Sequence, residues 1–327
     1  MTYLSFLFFY FILFSMNILK RYAIKKIIVS TLCLLLFIMF YFLPTHEKED
    51  IELNINDNKT MNVIYMLDND NYVSRVNAYF DSNGLKDEIK KKIDILTNGS
   101  EDLYNFYPLI PNKTKLNSIK VDKNKVTLDF SKEFLSVNKY LEESMIEAIL
   151  YTITEINGID TLYINVEGRE LRNLPNSHKD IPYPLKRSYG VNKEYNLNSL
   201  DNVNKTTVYF SKEKEGYNYY VPITQINNND DNKIDIIIEE LKSSINAQND
   251  LNSYFDQKTK LINYNIEEDK IELMFNDFIF NNDKYIKEEQ FVLVNSIFEN
   301  YEIDEININN KYFFKRNNTW FLLFNLL

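Results

Sequence analysis

KTKLNSIKVDKNKVTLDF, residues 113–130, returns in altered form as KTKLINYNIEEDKIELMF, residues 258–275. Both stretches open on KTKL. At the same shift of 145 residues, Lys125, Val126, Leu128 and Phe130 align with Lys270, Ile271, Leu273 and Phe275. Four shared letters can arise by chance, but an in-register apolar alternation behind them rarely does. Side chains alternate across a strand, so IKV-DKN-KVTLDF reads as a hairpin with Val126, Leu128 and Phe130 on one face.

Working outward, NVIYML and YVSRVNAYF flank the turn DNDN as two strands. LKDEIKKKIDILTNG places Leu85, Ile89, Ile93 and Leu96 at helical spacing, with Asn98-Gly99 as a left-handed cap. YLEESMIEAILYTITEING predicts a second helix with Leu141, Met145, Ile149, Ile153 and Ile156 on one stripe, and TLYINV follows as a strand. The order then repeats. TTVYF and YNYYVPITQI predict strands, with Pro222 suited to an edge or a bulge. KIDIIIEELKSSI predicts a helix with Ile234, Ile238, Leu241 and Ile245 inward. A helix around EEQFVLVNSIFENY and the strand EININ close the copy, and GIDTLYIN matches EIDEININ. A period near 145 residues is too long for a solenoid, so one α+β unit has been duplicated.

The expected fold is therefore α+β: two tandem two-layer domains, each a mixed or antiparallel sheet covered by two helices around its own core. Phe130 on the sheet should meet Ile153 on the helix above it. The boundaries read as residues 59–187 for the first domain, 188–204 for a linker, 205–314 for the second domain, and 315–327 for an apolar tail without counterpart in the first copy.

Of 327 residues, 45% are hydrophobic and 26% charged, which is globular usage. Net charge is −10. Lys20, Arg21, Lys25 and Lys26 are the basic residues before Thr45, and no acid precedes Glu47. From Thr45 onward 33 basic residues face 47 acidic ones, a net of −14. Such a domain repels phosphate backbones, which argues against nucleic acid as a partner. Cys33 is the single cysteine, so no disulfide can form within the chain. It lacks the small residue before it that lipidation needs, and reads as a lipid-facing side chain.

IIVSTLCLLLFIMFYFL, residues 27–43, carries no charge and follows KRYAIKK. As a helix it would span about 26 Å at ~1.5 Å per residue, near the minimum for a bilayer core. The basic flank should stay cytoplasmic and send everything after Pro44 outside. Residues 1–44 thus read as an uncleaved anchor and 45–58 as a polar stalk. The run before Met16 lacks a basic flank, and Met16 stands just ahead of NILKRYAIKK, so Met16 is the expected start. If Met1 begins the chain, the two apolar runs form a hairpin with the basic loop inside.

LTNG, LIPNKTKLNSIKVDKNKVTLDFSKEF, YTITEINGIDTLYINVEG and HKDIPYPL together resemble the GerMN domain, the extracytoplasmic module of GerM-like sporulation and spore germination proteins. The resemblance covers about residues 59–187. It extends more weakly through YYVPITQI and the second KTKL region, making a degenerate second copy. It implies an envelope-anchored protein of endospore-forming bacteria without enzymatic activity, and a fold related to ring-building domains of envelope-spanning assemblies. His178, Asp180 and Pro184 match the module's closing motif, which the second copy lacks. The plainer reading of these three is a turn that pins the terminal strand, with Asp180 accepting backbone hydrogen bonds.

The residues offer little catalytic chemistry. Six scattered glycines build no phosphate-cradling loop, and two histidines, His46 and His178, with one cysteine make no ordinary zinc site. No cofactor and no metal is expected. The best enzymatic candidate is Asp129, expected to share a strand face with Ser131 and Glu133. A glycan hydrolase would need two carboxylates ~5–10 Å apart in a cleft. The second copy has Met274 at the position of Asp129, and a solvated sheet face is the plainer reading. Asp68 in the DNDN turn hints at calcium, but the loop lacks the glycine and the distant bidentate glutamate of such sites. The expected function is non-enzymatic assembly with other envelope proteins or with itself, the alternatives being a peptidoglycan enzyme or regulator and a germinant-binding module. The strand YVSRVNAYF, free of proline, is the expected docking edge, to be blocked by proline at Ser74 or Val76.

Overall fold

The structure is a computed structural model that describes residues 59–229, 231–243 and 250–316. The expectations for the anchor, Met16, Cys33, His46, Ile245 and the end of the apolar tail lie outside the described residues. Among the described residues, no helix is long and apolar enough to cross a membrane.

Each repeat begins with a hairpin: β1 (Met61–Leu67) and β2 (Val73–Tyr79) in the first, β8 (Asn204–Lys214) and β9 (Tyr217–Asn227) in the second. A helix follows, α1 (Leu85–Asn98) or α3 (Lys233–Lys242). Next come β3 (Leu116–Asp122) and β4 (Lys125–Phe130), matched by β10 (Leu261–Ile266) and β11 (Lys270–Phe275). The main helices are α2 (Glu142–Thr154) and α4 (Ile286–Asn300). The first repeat then adds β5 (Thr161–Val166), β6 (Arg169–Glu170) and β7 (Glu194–Asn196). The second adds β12 (Glu305–Ile308) and β13 (Tyr312–Lys315).

The repeated stretch forms the hairpin its alternation demands. Val126, Leu128, Phe130, Ile271 and Leu273 are fully buried, and Phe275 nearly so. β4 runs parallel to β5 and β11 parallel to β12, because a helix crosses over between the members of each pair. The outer sheets are β3-β4-β5-β6 and β10-β11-β12-β13. Gly99 closes α1 with φ 78° and ψ −175°, a positive-φ extended form rather than the left-handed cap expected, and its N–H donates to Ile95.

Three expectations fail for one reason. The opening hairpins do not join the sheets of their own repeats. They join each other, in a sheet ordered β1-β2-β9-β7 with β8 on the far side of β9. Arg75 of β2 faces Tyr220 of β9, so the strand expected to be a free docking edge is the internal seam. The two-layer picture of one sheet under two helices therefore gives way. α2 lies between this shared sheet and β5, and is buried on nearly every side rather than along one stripe. Phe130 and Ile153 are both fully buried in the one core cluster.

Residues 188–204 are not a free tether either. Glu194–Asn196 pairs in parallel with Gln225–Asn227 of β9, and the Val191 N–H donates to Thr224 at 2.9 Å. Pro222 stands inside β9 rather than at an edge. Continuing the Arg75–Tyr220 register would set Val73 opposite Pro222, which has no N–H to offer. The Asn192 carboxamide fills that gap. It accepts from the Val73 N–H (2.8 Å) and donates to the carbonyls of Val73 (2.9 Å) and Pro222 (2.8 Å).

Candidate functional site: the joint between the repeats

Where the hairpins meet, positions 144 residues apart play matching roles. The Tyr65 N–H donates to Thr152 Oγ1 (2.9 Å) and the Tyr209 N–H to Ser296 Oγ (2.8 Å), so each main helix supplies a hydroxyl to the outer side of its own hairpin. Further along these outer sides, Leu67 bridges to Tyr107, and Ser211 to Asn252. Lys92 Nζ covers the Val63 carbonyl (2.7 Å), and Asn300 brackets Thr207. Both margins of the shared sheet are thus closed by the chain itself, as exposed strand edges commonly must be.

The two tyrosine hydroxyls meet at 3.2 Å. Glu155 and Glu299, also 144 apart, end the two main helices beside them. Arg187 enters this space from the short 3-10 turn Arg187–Tyr189. Its guanidinium donates to Glu299 (2.9 and 3.0 Å), to Glu155 (3.2 Å), to Tyr209 Oη (2.9 Å) and to Tyr65 Oη (3.3 Å). It also lies over the Tyr151 ring, 4.2 Å from the centroid. Arg75 completes the group through Glu155 at 3.0 Å and sits over the Phe291 ring. Two guanidinium and two carboxylate groups therefore neutralise one another in a mostly buried space, where an unpaired charge would be costly. Burial pushes the Glu155 carboxyl up, but Arg75 and Arg187 outweigh it and hold the group at about 2. Burial, with Glu155 beside it, pushes the Tyr65 phenol up to about 12, so it stays a neutral donor.

The residues singled out from the sequence lie elsewhere and are held by hydrogen bonds. Asp129 Oδ1 accepts from the Gly168 N–H (2.7 Å) and Oδ2 from Asn117 (3.4 Å). Ser131 is buried, and its Oγ accepts from the Lys115 N–H. β4 stops at Phe130, so Glu133 stands on the 3-10 turn Lys132–Ser136 and shares no strand face with Asp129. A hydrogen bond from Ser131 lowers the Glu133 pKa. Asp68 is buried and shapes its own turn. It accepts from the N–H groups of Asp70 and Tyr72 (2.9 Å each), and from the hydroxyls of Ser74 and Tyr219. Lys212 lies 3.7 Å away and pairs with Asp70, so an ammonium group stands beside the carboxylates of this turn. Among the described residues, no three His, Cys, Asp or Glu side chains form a metal-holding group. His178 is exposed at φ 57°. Asp180 accepts from the side chain of Asn173 rather than from the backbone. Pro184 follows a cis bond, and the adjacent Leu185 exchanges both backbone hydrogen bonds with Leu162 of β5. That pairing does pin the end of the repeat.

Sequence reasoning missed the six residues of the joint. A signal existed: Tyr65/Tyr209 and Glu155/Glu299 share one shift, and each glutamate closes a buried helix. Arg187 is the last residue of the expected first domain, one position before the expected linker.

The comparisons with known proteins agree with the repeat. Residues 63–172 match the Germane family, described as sporulation and spore germination. The chain is 30% identical over 228 residues to the spore germination protein GerM of Bacillus subtilis, covering 67% of this chain and 62% of that protein's length. The solved tandem GerMN domains of the sporulation protein GerM from Bacillus subtilis superpose with a TM-score of 0.67 at 25% identity, over 76% of this chain and 90% of that one. Two modules in the same order, fused through one sheet and matched along both, make this chain a member of the GerM family with tandem GerMN domains.

Proposed function

We propose that the chain is a non-enzymatic protein of endospore formation or germination, held in the membrane by residues 1–44. Its tandem modules stand outside the cytoplasm and join other envelope proteins. The observation that carries this reading is the joint. Arg187 ties Glu155 of one repeat to Glu299 of the other, so the two modules are presented joined side by side. The carboxylates at Asp68, Asp129, Glu155 and Glu299 are engaged in turns and seams, as expected of a scaffold. The family description supports the setting, and the positive flank of the apolar run supports the topology.

A strain lacking the chain should form fewer heat-resistant spores or germinate poorly. Residues 45–327 fused to an unrelated single-pass anchor of the same orientation should restore the phenotype, and the same residues left in the cytoplasm should not. Release of soluble fragments from peptidoglycan by the purified full chain, lost in Asp129→Ala or Glu133→Ala, would replace this reading with an enzymatic one.

A further inference from the structure

The two outer hairpins are equivalent in shape and have diverged in charge, most of all at their tips. Between Lys113 and Lys125 the first repeat exposes five lysines, at 113, 115, 120, 123 and 125, against the single acid Asp122. In the second repeat Lys113, Lys115 and Lys125 persist as Lys258, Lys260 and Lys270, but Lys123 becomes Glu268, Asn124 becomes Asp269 and Thr127 becomes Glu272, while Lys120 becomes Asn265, so the tip Glu267-Glu268-Asp269 is acidic where the first is basic. On the neighbouring strand end, Gly158 and Thr161 become Glu302 and Glu305. The register is preserved: Asp122 faces Lys125 in one hairpin, and Glu267 donates its N–H to Lys270 in the other. Lys120, Lys123 and Lys125, like Glu267, Glu268 and Asp269, make no ion pair within 4 Å among the described residues. Beside the acidic tip, Ile266 is exposed at 42% and adds an apolar contact.

We propose that copies of this chain associate head to tail, the basic β3–β4 hairpin of one copy docking on the acidic tip of the β10–β11 hairpin of the next. Both halves of the contact are in every chain and differ from each other, so the contact is heterologous and extends from copy to copy. Exposed ion pairs are individually weak, but opposed arrays steer encounter and fix register, and a shared membrane raises effective concentration. The inference deepens the assembly reading above and rests on it, naming a second copy of the chain as one partner.

The test uses the full chain in detergent micelles with Cys33→Ser, in two differently tagged forms carrying Lys123→Cys or Glu268→Cys. Oxidation should give a mixed-tag disulfide dimer about tenfold over either like-tag product, falling steeply between about 0.05 and 0.5 M salt. When every chain carries Lys120→Glu/Lys123→Glu/Lys125→Glu, both hairpins are acidic and association should be abolished. A partner with Glu267→Lys/Glu268→Lys/Asp269→Lys should restore it. Like-tag products equal to the mixed one, no mixed product, or indifference to charge reversal would each overturn the proposal. Capture of an anionic wall polymer by the lysine hairpin without a mixed dimer would overturn it too. If the charge-reversed chain no longer associates yet supports normal spore formation, the head-to-tail contact stands and the assembly reading fails. If no contact is found while the chain remains necessary for spores, the reverse holds.

Discussion

Arg187 makes more polar contacts across the seam than any other side chain described above, and Ala at this position should show it. Arg187→Ala leaves Glu299 and Glu155 facing each other with one guanidinium fewer, and should cost about 3–5 kcal/mol in urea unfolding. A loss below about 1 kcal/mol would mean that water replaces the guanidinium freely. Glu289 on α4 offers a pH test. It is buried, and burial pushes its carboxyl up to about 7, against one weak hydrogen bond from the Phe280 N–H at 3.3 Å. Its folded pKa lies above the unfolded one, so the protonated fold is favoured. Stability falls as pH rises from about 4.5 through 7, and the penalty is complete above that. Glu289→Gln keeps the acceptor without the charge. It should match the natural chain below about pH 4.5 and exceed it by about 1–3 kcal/mol near pH 8. Equal stability at both values would refute the assignment. Glu155 has the opposite sign: its contribution is present above about pH 4.5 and is lost as pH falls toward 2.

At the scale of the element, β2 decides most. A strand with β1 on one side and β9 on the other has no free margin near Ser74 and Val76. Val76→Pro removes a ladder donor from a fully buried interior position, and should cost about 3 kcal/mol or more. It is therefore expected to lower the melting temperature of the whole molecule, and not to block one partner while sparing the fold. A well-folded Val76→Pro chain would show that the seam is dispensable. Pro222 is tolerated in β9 because its missing N–H falls where a side-chain amide, Asn192, already bridges the gap.

At the scale of the molecule, the described residues fall in one compact unit beginning at Lys59. A shared sheet and a neutralised ionic seam couple the two repeats, so Phe130→Ala and Phe275→Ala should shift the same cooperative transition. Each should cost about 3–5 kcal/mol. Adding Arg187→Ala should separate that transition into two, as read by calorimetry and by hydrogen exchange on each repeat. Two transitions in the unmodified chain would restore the picture of independent domains.

Local rules decided what each segment became. Alternation at Val126, Leu128 and Phe130 required a strand, the 3.6-residue spacing of Leu85, Ile89, Ile93 and Leu96 required a helix, and the 145-residue recurrence required a duplicated unit. These depend on contacts and spacings within one segment, which the order of residues specifies directly. Which hairpin pairs with which depends on long-range closure. The margin of β2 could have been satisfied by solvent, by a partner or by β9, and its sequence is the same in each case. Asp129 and Asp68 look like chemistry in the sequence because a carboxylate's partners are unknown until the chain folds. Gly168 and Lys212, far along the chain, then supply them. Arg187 was illegible for the same reason: its four polar partners come from positions 65, 155, 209 and 299, and only the closed sheet brings them within 3.3 Å of one guanidinium.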